Sequence, residues 1–183
     1  MLLKERDRLY QIIKNKAILK GRFKLSSGGE SEYYIDGRLI TLDPEGAYLL
    51  AKIILGLLKG EKVDAIGGLT IGGDPIIASV VAISYIEGSP ISGFIVRKEA
   101  KEYGTRKLIE GPSLKKGFRV VIVDDVVTTG NSIFQAIRAV EKEGCKVVRV
   151  IALVDRLEGA KERLRENGYP FTPIFTKEDF VFT

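Results

Sequence analysis

The spacing of apolar positions changes period several times along the chain, and each change predicts an element. Leu9, Ile12, Ile13 and Ala17 recur at helical spacing, so residues 4–19 read as an opening amphipathic helix. A Ser/Gly turn follows (Ser26, Ser27, Gly28, Gly29), then a short run with strand character at Tyr33, Tyr34 and Ile35. Asp43, Pro44 and Glu45 make a helix start, with an acid at the N-cap, Pro in the first turn and a second acid behind it. That helix is expected to run to about residue 59, where Gly60 stops it. Strands are then expected at 63–67, 91–96, 119–123 and 147–154, and helices at 74–87 and 131–143. The last of these helices carries Ile133, Ala136, Ile137 and Val140 at helical spacing and ends at Gly144. Strands alternating with helices predict an α/β fold: a parallel sheet flanked by helices and joined by right-handed crossovers. Residues 1–183 read as one domain, with about 1–38 outside the alternation as a small hood over the sheet.

Composition narrows the class further. The 183 residues are 45% hydrophobic and 29% charged, ordinary for a globular protein with a sizeable core. No apolar run approaches the roughly 18 residues that span a bilayer, so no membrane association is expected. The opening MLLKERDRLY has no apolar signal core and does not read as a secretory or organellar signal. Cys145 is the only cysteine, which excludes an internal disulfide and suits a reducing, cytoplasmic setting. The chain has no histidine, so a His-ligated metal and a His general base are both excluded. Net charge is +5, and Arg97, Lys98, Lys101, Arg106 and Lys107 fall within eleven residues. Taken alone, that cluster reads as a solvated basic loop.

The segment 120–132, VVIVDDVVTTGNS, carries the chemistry. A β-branched strand ends in two adjacent carboxylates, Asp124 and Asp125, followed by Val126 and Val127. In an open α/β sheet, ligands bind beyond the carboxyl ends of the strands. Two neighbouring acids there repel each other and gain nothing from burial, so something cationic or rich in hydroxyls must balance them. Helix capping accounts for one acid but not for both. Thr128, Thr129, Gly130, Asn131 and Ser132 then supply hydroxyls and free backbone N–H groups at the positive end of the next helix, which suits a phosphate. Carboxylates for sugar hydroxyls beside amides for a phosphate describe a holder for ribose 5-phosphate. Neither a GxxxxGK[ST] loop nor a GxGxxG after a strand occurs.

In this context VVIVDDVVTTGNS resembles the phosphoribosyl-diphosphate signature of type I phosphoribosyltransferases. Four more segments resemble orotate phosphoribosyltransferases in order and spacing: FKLSSGGESEYYIDGR (23–38), IGGLTIGGDPIIAS (66–79), RKEAKEYGTRKLIEG (97–111) and VDRLEG (154–159). The resemblance spans nearly the whole chain, including the closing FTKEDF. Tyr33, Tyr34, the glycines and Arg156 each have a bland reading as core, turn or surface residues; it is their joint register that points to the family.

The resemblance implies a type I phosphoribosyltransferase-like sheet with an N-terminal hood, acting on orotate and 5-phosphoribosyl 1-diphosphate. It implies that Lys101, Asp124 and Asp125 are catalytic, with Lys101 on a mobile lid that reaches a neighbouring subunit of a homodimer. Arg97, Lys98, Lys101, Tyr103 and every residue from Asp124 to Ser132 would hold the phosphoribosyl diphosphate. Ser26, Tyr34, Thr128 and Arg156 would hold orotate, the Arg156 fork meeting its carboxylate. Mg²⁺ would be held mainly by the diphosphate, the ribose hydroxyls and water, with no dedicated protein cage. The chain departs from the family at Tyr103, where the loop usually has His, and at Ser26 and Gly72, where some members have Lys. Two other readings stay open: a phosphoribosyltransferase for a purine or uracil, and a regulator sensing phosphoribosyl diphosphate. The regulator would need a nucleic-acid-binding element, and none is evident.

Overall fold

A computed structural model describes residues 2–24, 30–99 and 107–180. In chain order its elements are α1 (Leu2–Lys16), β1 (Ile18–Lys24), β2 (Glu30–Ile35), α2 (Arg38–Thr41), α3 (Pro44–Leu57), β3 (Ala65–Leu69) and α4 (Asp74–Ile86). There follow β4 (Ser92–Val96), β5 (Ile109–Glu110), β6 (Arg119–Val127), α5 (Asn131–Lys142), β7 (Lys146–Asp155), α6 (Ala160–Glu166), β8 (Phe171–Thr176) and a 3-10 turn, Lys177–Asp179. Among the described residues, β1 and β2 form an antiparallel pair and the rest form a six-stranded sheet in the order β5-β4-β3-β6-β7-β8. Every pairing in that sheet is parallel except β4 with the two-residue edge strand β5.

Helices cover both faces, which is why the central strands are apolar without alternation. On one face α1, α3 and α4 pack over Ile66, Val121, Val123, Ile151 and Leu153. On the other, Ile133, Ala136, Ile137 and Val140 of α5 and Leu164 of α6 cover Val120, Ile122, Val150 and Ala152. Asp43 caps α3 as its sequence predicts, accepting from Gly46 N at 2.9 Å.

The opening helix is shorter than its apolar spacing suggests. Helix α1 ends at Lys16, and Ile18 begins β1, paired with Ile35. Ala17 sits fully buried at the corner; its carbonyl accepts from Asp36 N at 3.0 Å, and this bond takes the chain out of the helix.

The strand order positions the site. From β3 the chain crosses to β4 on one side, then returns past β3 to β6 on the other. The carboxyl ends of β3 and β6 therefore flank a topological switch point, where the connections diverge and leave a crevice.

Candidate active site

The two acids stand at the end of β6, facing that crevice. Asp124 is 9% exposed. Its Oδ1 accepts from Asp125 N at 3.0 Å, and Asp125 Oδ1 accepts from Val126 N at 2.8 Å. Burial pushes the Asp124 carboxyl well above its ordinary range, and the neighbouring Asp125 charge adds to the shift. Burial raises Asp125 too, against the pull of its backbone bond to Val126 and of the Arg38 guanidinium. Two desolvated like charges at a cleft are a demand for cations or hydroxyl donors.

The loop after β3 comes close to this pair. A Cβ on Gly72 would lie 2.5 Å from Asp124 Oδ1 and 2.6 Å from Asp125 Oδ1. One on Gly37, just past the hairpin, would lie 2.8 Å from Asp125 Cβ. Only side-chain-free positions let three segments meet here.

Beyond the acids, the chain turns through Thr128 and Thr129 to Gly130, whose φ of +80° is left-handed, and enters α5 at Asn131. The first-turn N–H groups of α5 have no partner within the helix, so this end can take an anion. Arg163 of α6 braces the loop from behind. It donates to the Thr129 carbonyl at 3.2 Å and to Asn131 Oδ1 at 2.6 Å, and lies 4.4 Å over the Phe134 ring.

Arg156 follows the last residue of β7 and is only 5% exposed. Its Nε lies 3.1 Å from Glu158 Oε1, an ion pair whose angle falls short of a hydrogen bond. The Tyr33 ring is 5.4 Å from its guanidinium carbon, and Tyr34 packs against Phe23 at 5.6 Å. Arg156, Tyr34, Lys98, Thr128, Ser132 and both acids line one cavity of about 470 Å³.

Eight of the sixteen residues expected at the site line that cavity: Tyr34, Lys98, Asp124, Asp125, Val126, Thr128, Ser132 and Arg156. Arg97 lies outside that cavity's lining, its guanidinium 3.7 Å from Glu110, while its neighbour Lys98 lines the cleft. Gln135 donates to the Lys98 carbonyl at 2.8 Å, tying the start of the basic segment to α5. Val127 is a core residue whose carbonyl accepts from Arg156 N at 2.9 Å. Thr129, Gly130 and Asn131 belong to the turn into α5 and are not part of that cavity's lining. Ser26, Lys101 and Tyr103 lie outside the described residues.

Several lining residues went unnamed as ligands in the sequence. Gly37, Arg38, Thr70, Ile71 and Gly72 all border the cavity. Their blocks stood out, but not which members face inward. Arg38 is held by Asp36 at 3.1 Å, a pairing two residues apart that could have been sought. Among the described residues no group of three or more Cys, Asp or Glu could hold a metal. Asp124 and Asp125 offer hard oxygen atoms only, which fits Mg²⁺ bound chiefly through a substrate and water.

Paired acids, a helix terminus able to take an anion and a buried cation around one cavity, on a parallel sheet, suit phosphoribosyl transfer. The phosphoribosyl transferase domain family matches residues 42–168. An orotate phosphoribosyltransferase of Aquifex aeolicus is 43% identical, the match covering 99% of this chain and all of the relative. The Mycobacterium tuberculosis orotate phosphoribosyltransferase, solved with Fe(III) dicitrate, superposes with a TM-score of 0.85 at 36% identity, over 97% of this chain and 99% of that one. Solved with 5-phospho-α-D-ribosyl 1-diphosphate, the same enzyme gives 0.80 at 35% identity, over 96% and 98%. The chain belongs to the orotate phosphoribosyltransferase family.

Proposed function

We propose that this protein transfers ribose 5-phosphate from 5-phosphoribosyl 1-diphosphate to a ring nitrogen of orotate. The products are orotidine 5'-phosphate and diphosphate, a step of pyrimidine nucleotide synthesis. The observation that carries the reading is the single cavity shared by the acid pair, the phosphate loop and the buried Arg156. A carboxylated base explains why a planar, bidentate cation faces a sugar-phosphate holder.

In the reaction the C1–O bond to diphosphate breaks and a C1–N bond forms. Positive charge grows on the sugar and negative charge on the leaving group, so alignment and electrostatics replace a protein nucleophile. Asp124 and Asp125 grip the ribose hydroxyls and steady the sugar cation. Thr128, Thr129, Gly130, Asn131 and Ser132 hold the 5-phosphate. Lys98, with Arg97 behind it and Arg38 across the cleft, meets the diphosphate. Tyr34, Thr128 and Ser26 enclose the pyrimidine, and Arg156 takes its carboxylate. Mg²⁺, held by substrate oxygens, water and the acid pair, would neutralise diphosphate charge. Lys101 and Tyr103, in the basic segment between β4 and β5, are assigned to the leaving diphosphate, with Lys101 on the lid.

The working unit is a homodimer, with residues 1–38 as the hood of a single catalytic domain. Its support is the face beside the lid's root, where Val81, Tyr85, Ile86, Ile91 and Ile95 border an apolar hollow. Tyr85 is 76% exposed and Ile86 75%, an uncovered patch that suits a second copy. No helix among the described residues is long and apolar enough to cross a membrane. With its one cysteine buried, the chain suits the reducing cytoplasm.

The test is direct: combine protein, Mg²⁺, phosphoribosyl diphosphate and orotate, and follow orotate's ultraviolet absorbance. Loss of orotate with stoichiometric diphosphate is expected. Inertness toward orotate with turnover of adenine, guanine or uracil would overturn the assignment.

A further inference from the structure

Asp155, the last residue of β7, is fully buried, although nothing in the transfer chemistry uses it. Its Oδ1 accepts from the backbone N–H of Leu157 at 2.9 Å, and its Oδ2 has no partner among the described residues. Burial pushes this carboxyl above its ordinary range, while the Leu157 bond works the other way. Leu157 has φ of +56°, the left-handed region that a branched side chain occupies only when held there.

Arg156 lies between these two residues. On its N-terminal side its N–H donates to the Val127 carbonyl at 2.9 Å, extending the β6–β7 ladder by one bond. On its C-terminal side Leu157 is left-handed and the chain bends at Glu158 and Gly159, with Glu158 Oε1 3.1 Å from Arg156 Nε. The conformation at Leu157 therefore sets the path of the chain just after Arg156 and the place where Glu158 meets its guanidinium. A turn needed only to change direction would take glycine at 157 and no buried acid. A buried acid with no ion pair among the described residues and a leucine in a glycine conformation are unfavourable individually, and they meet next to the residue whose aim matters most.

We propose that Asp155 is a positioning residue for the pyrimidine's carboxylate: by holding Leu157 left-handed, it aims Arg156 into the cleft. The inference rests on Arg156 as the ligand of that carboxylate. It assigns Asp155 no contact with either substrate.

Steady-state kinetics of the full chain, with each substrate varied in turn, tests it. Wild-type turnover of orotate is measured first, since its absence would sink the functional reading and not this one. Asp155→Ala should raise KM for orotate about tenfold, the worth of one buried hydrogen bond. KM for phosphoribosyl diphosphate and kcat should stay near wild type. Asp155→Asn keeps the acceptor and should behave as wild type. Adding Leu157→Gly to Asp155→Ala should restore orotate binding, because glycine needs no help to be left-handed. Equal rises in both KM values, a fall in kcat alone, or a double variant no better than Asp155→Ala would overturn the proposal. If Asp155→Ala does not fold by circular dichroism, the double variant decides. Folded with normal KM for orotate it supports the proposal; folded with a raised KM, or unfolded, it overturns it.

Discussion

In the proposed reaction, Asp124 and Asp125 serve binding at the expense of stability. Both carboxyls are raised by burial, so the folded state holds their protons more tightly than the unfolded chain does. Their favourable contribution is therefore present in acid, below the ordinary carboxylate value of about 4. It is lost as pH rises through the raised folded values, and at neutral pH the ionised pair is a burden. Asp125→Asn should raise the thermal midpoint at pH 7 by about 2–4 °C for each kcal/mol relieved. That gain should shrink toward zero near pH 4, while turnover falls at least about tenfold through lost sugar contacts. Melting curves across pH check the first part and initial rates the second. An equal gain at both pH values would count against burial as the cause. Arg156 shows the complementary case, a cation kept nearly dry beside Tyr33 and Glu158 so that its fork stays available.

Helix α5 links the two halves of the site. Its buried face, from Ile133 to Val140, is legible as a 3.6-residue period and anchors it on β6 and β7. Its start is shaped by Gly130 and braced by Arg163, and its Gln135 holds the Lys98 carbonyl. Arg163 touches the loop and not the cavity, so it acts through loop geometry. Arg163→Ala should raise KM for phosphoribosyl diphosphate about three- to tenfold, the worth of one to two partly exposed hydrogen bonds. KM for orotate should move much less. Substrate titrations of Arg163→Ala and the wild type check this, and an equal effect on both substrates would show a general loosening instead. The same scale explains the missed elements. β8 includes Pro173, paired with Ala152, and such a residue is tolerated because β8 is an edge strand. β1 reads ILKGRFK, with too few apolar positions to announce a strand until β2 pairs with it.

At the scale of the whole molecule, the proposed dimer makes two separable claims. Tyr85→Glu with Ile86→Glu should convert a dimer to a monomer in light scattering, since both residues are largely exposed in the single chain. A dimer unchanged by both substitutions would move the interface elsewhere. If Lys101 serves the neighbouring subunit, Lys101→Ala and Arg156→Ala chains, each nearly inactive alone, should complement on mixing. Random pairing leaves one intact site in half the dimers, so about a quarter of wild-type activity should return. No recovery after verified subunit exchange would place Lys101 in its own subunit's site.

The acid pair and the turn that follows it were legible in the sequence because they are local. A buried strand, two acids, a hydroxyl-bearing turn and a helix start lie within fourteen residues, 119–132, and the fold only had to keep them in order. The alternation of apolar strands with amphipathic helices likewise announced a helix-flanked parallel sheet, since each pattern states which faces must be buried. What the tertiary structure alone decided is convergence. Tyr34, Gly72, Lys98, Asp124 and Arg156 come from separate segments, and they share a cavity because β3 lies between β4 and β6. The choice of Lys98 over Arg97 for the cavity lining and of Tyr33 to sit by Arg156 has the same origin. Periodicity says that a strand is buried, but strand order, and with it which side chains meet, follows from crossovers and packing between residues far apart in the chain.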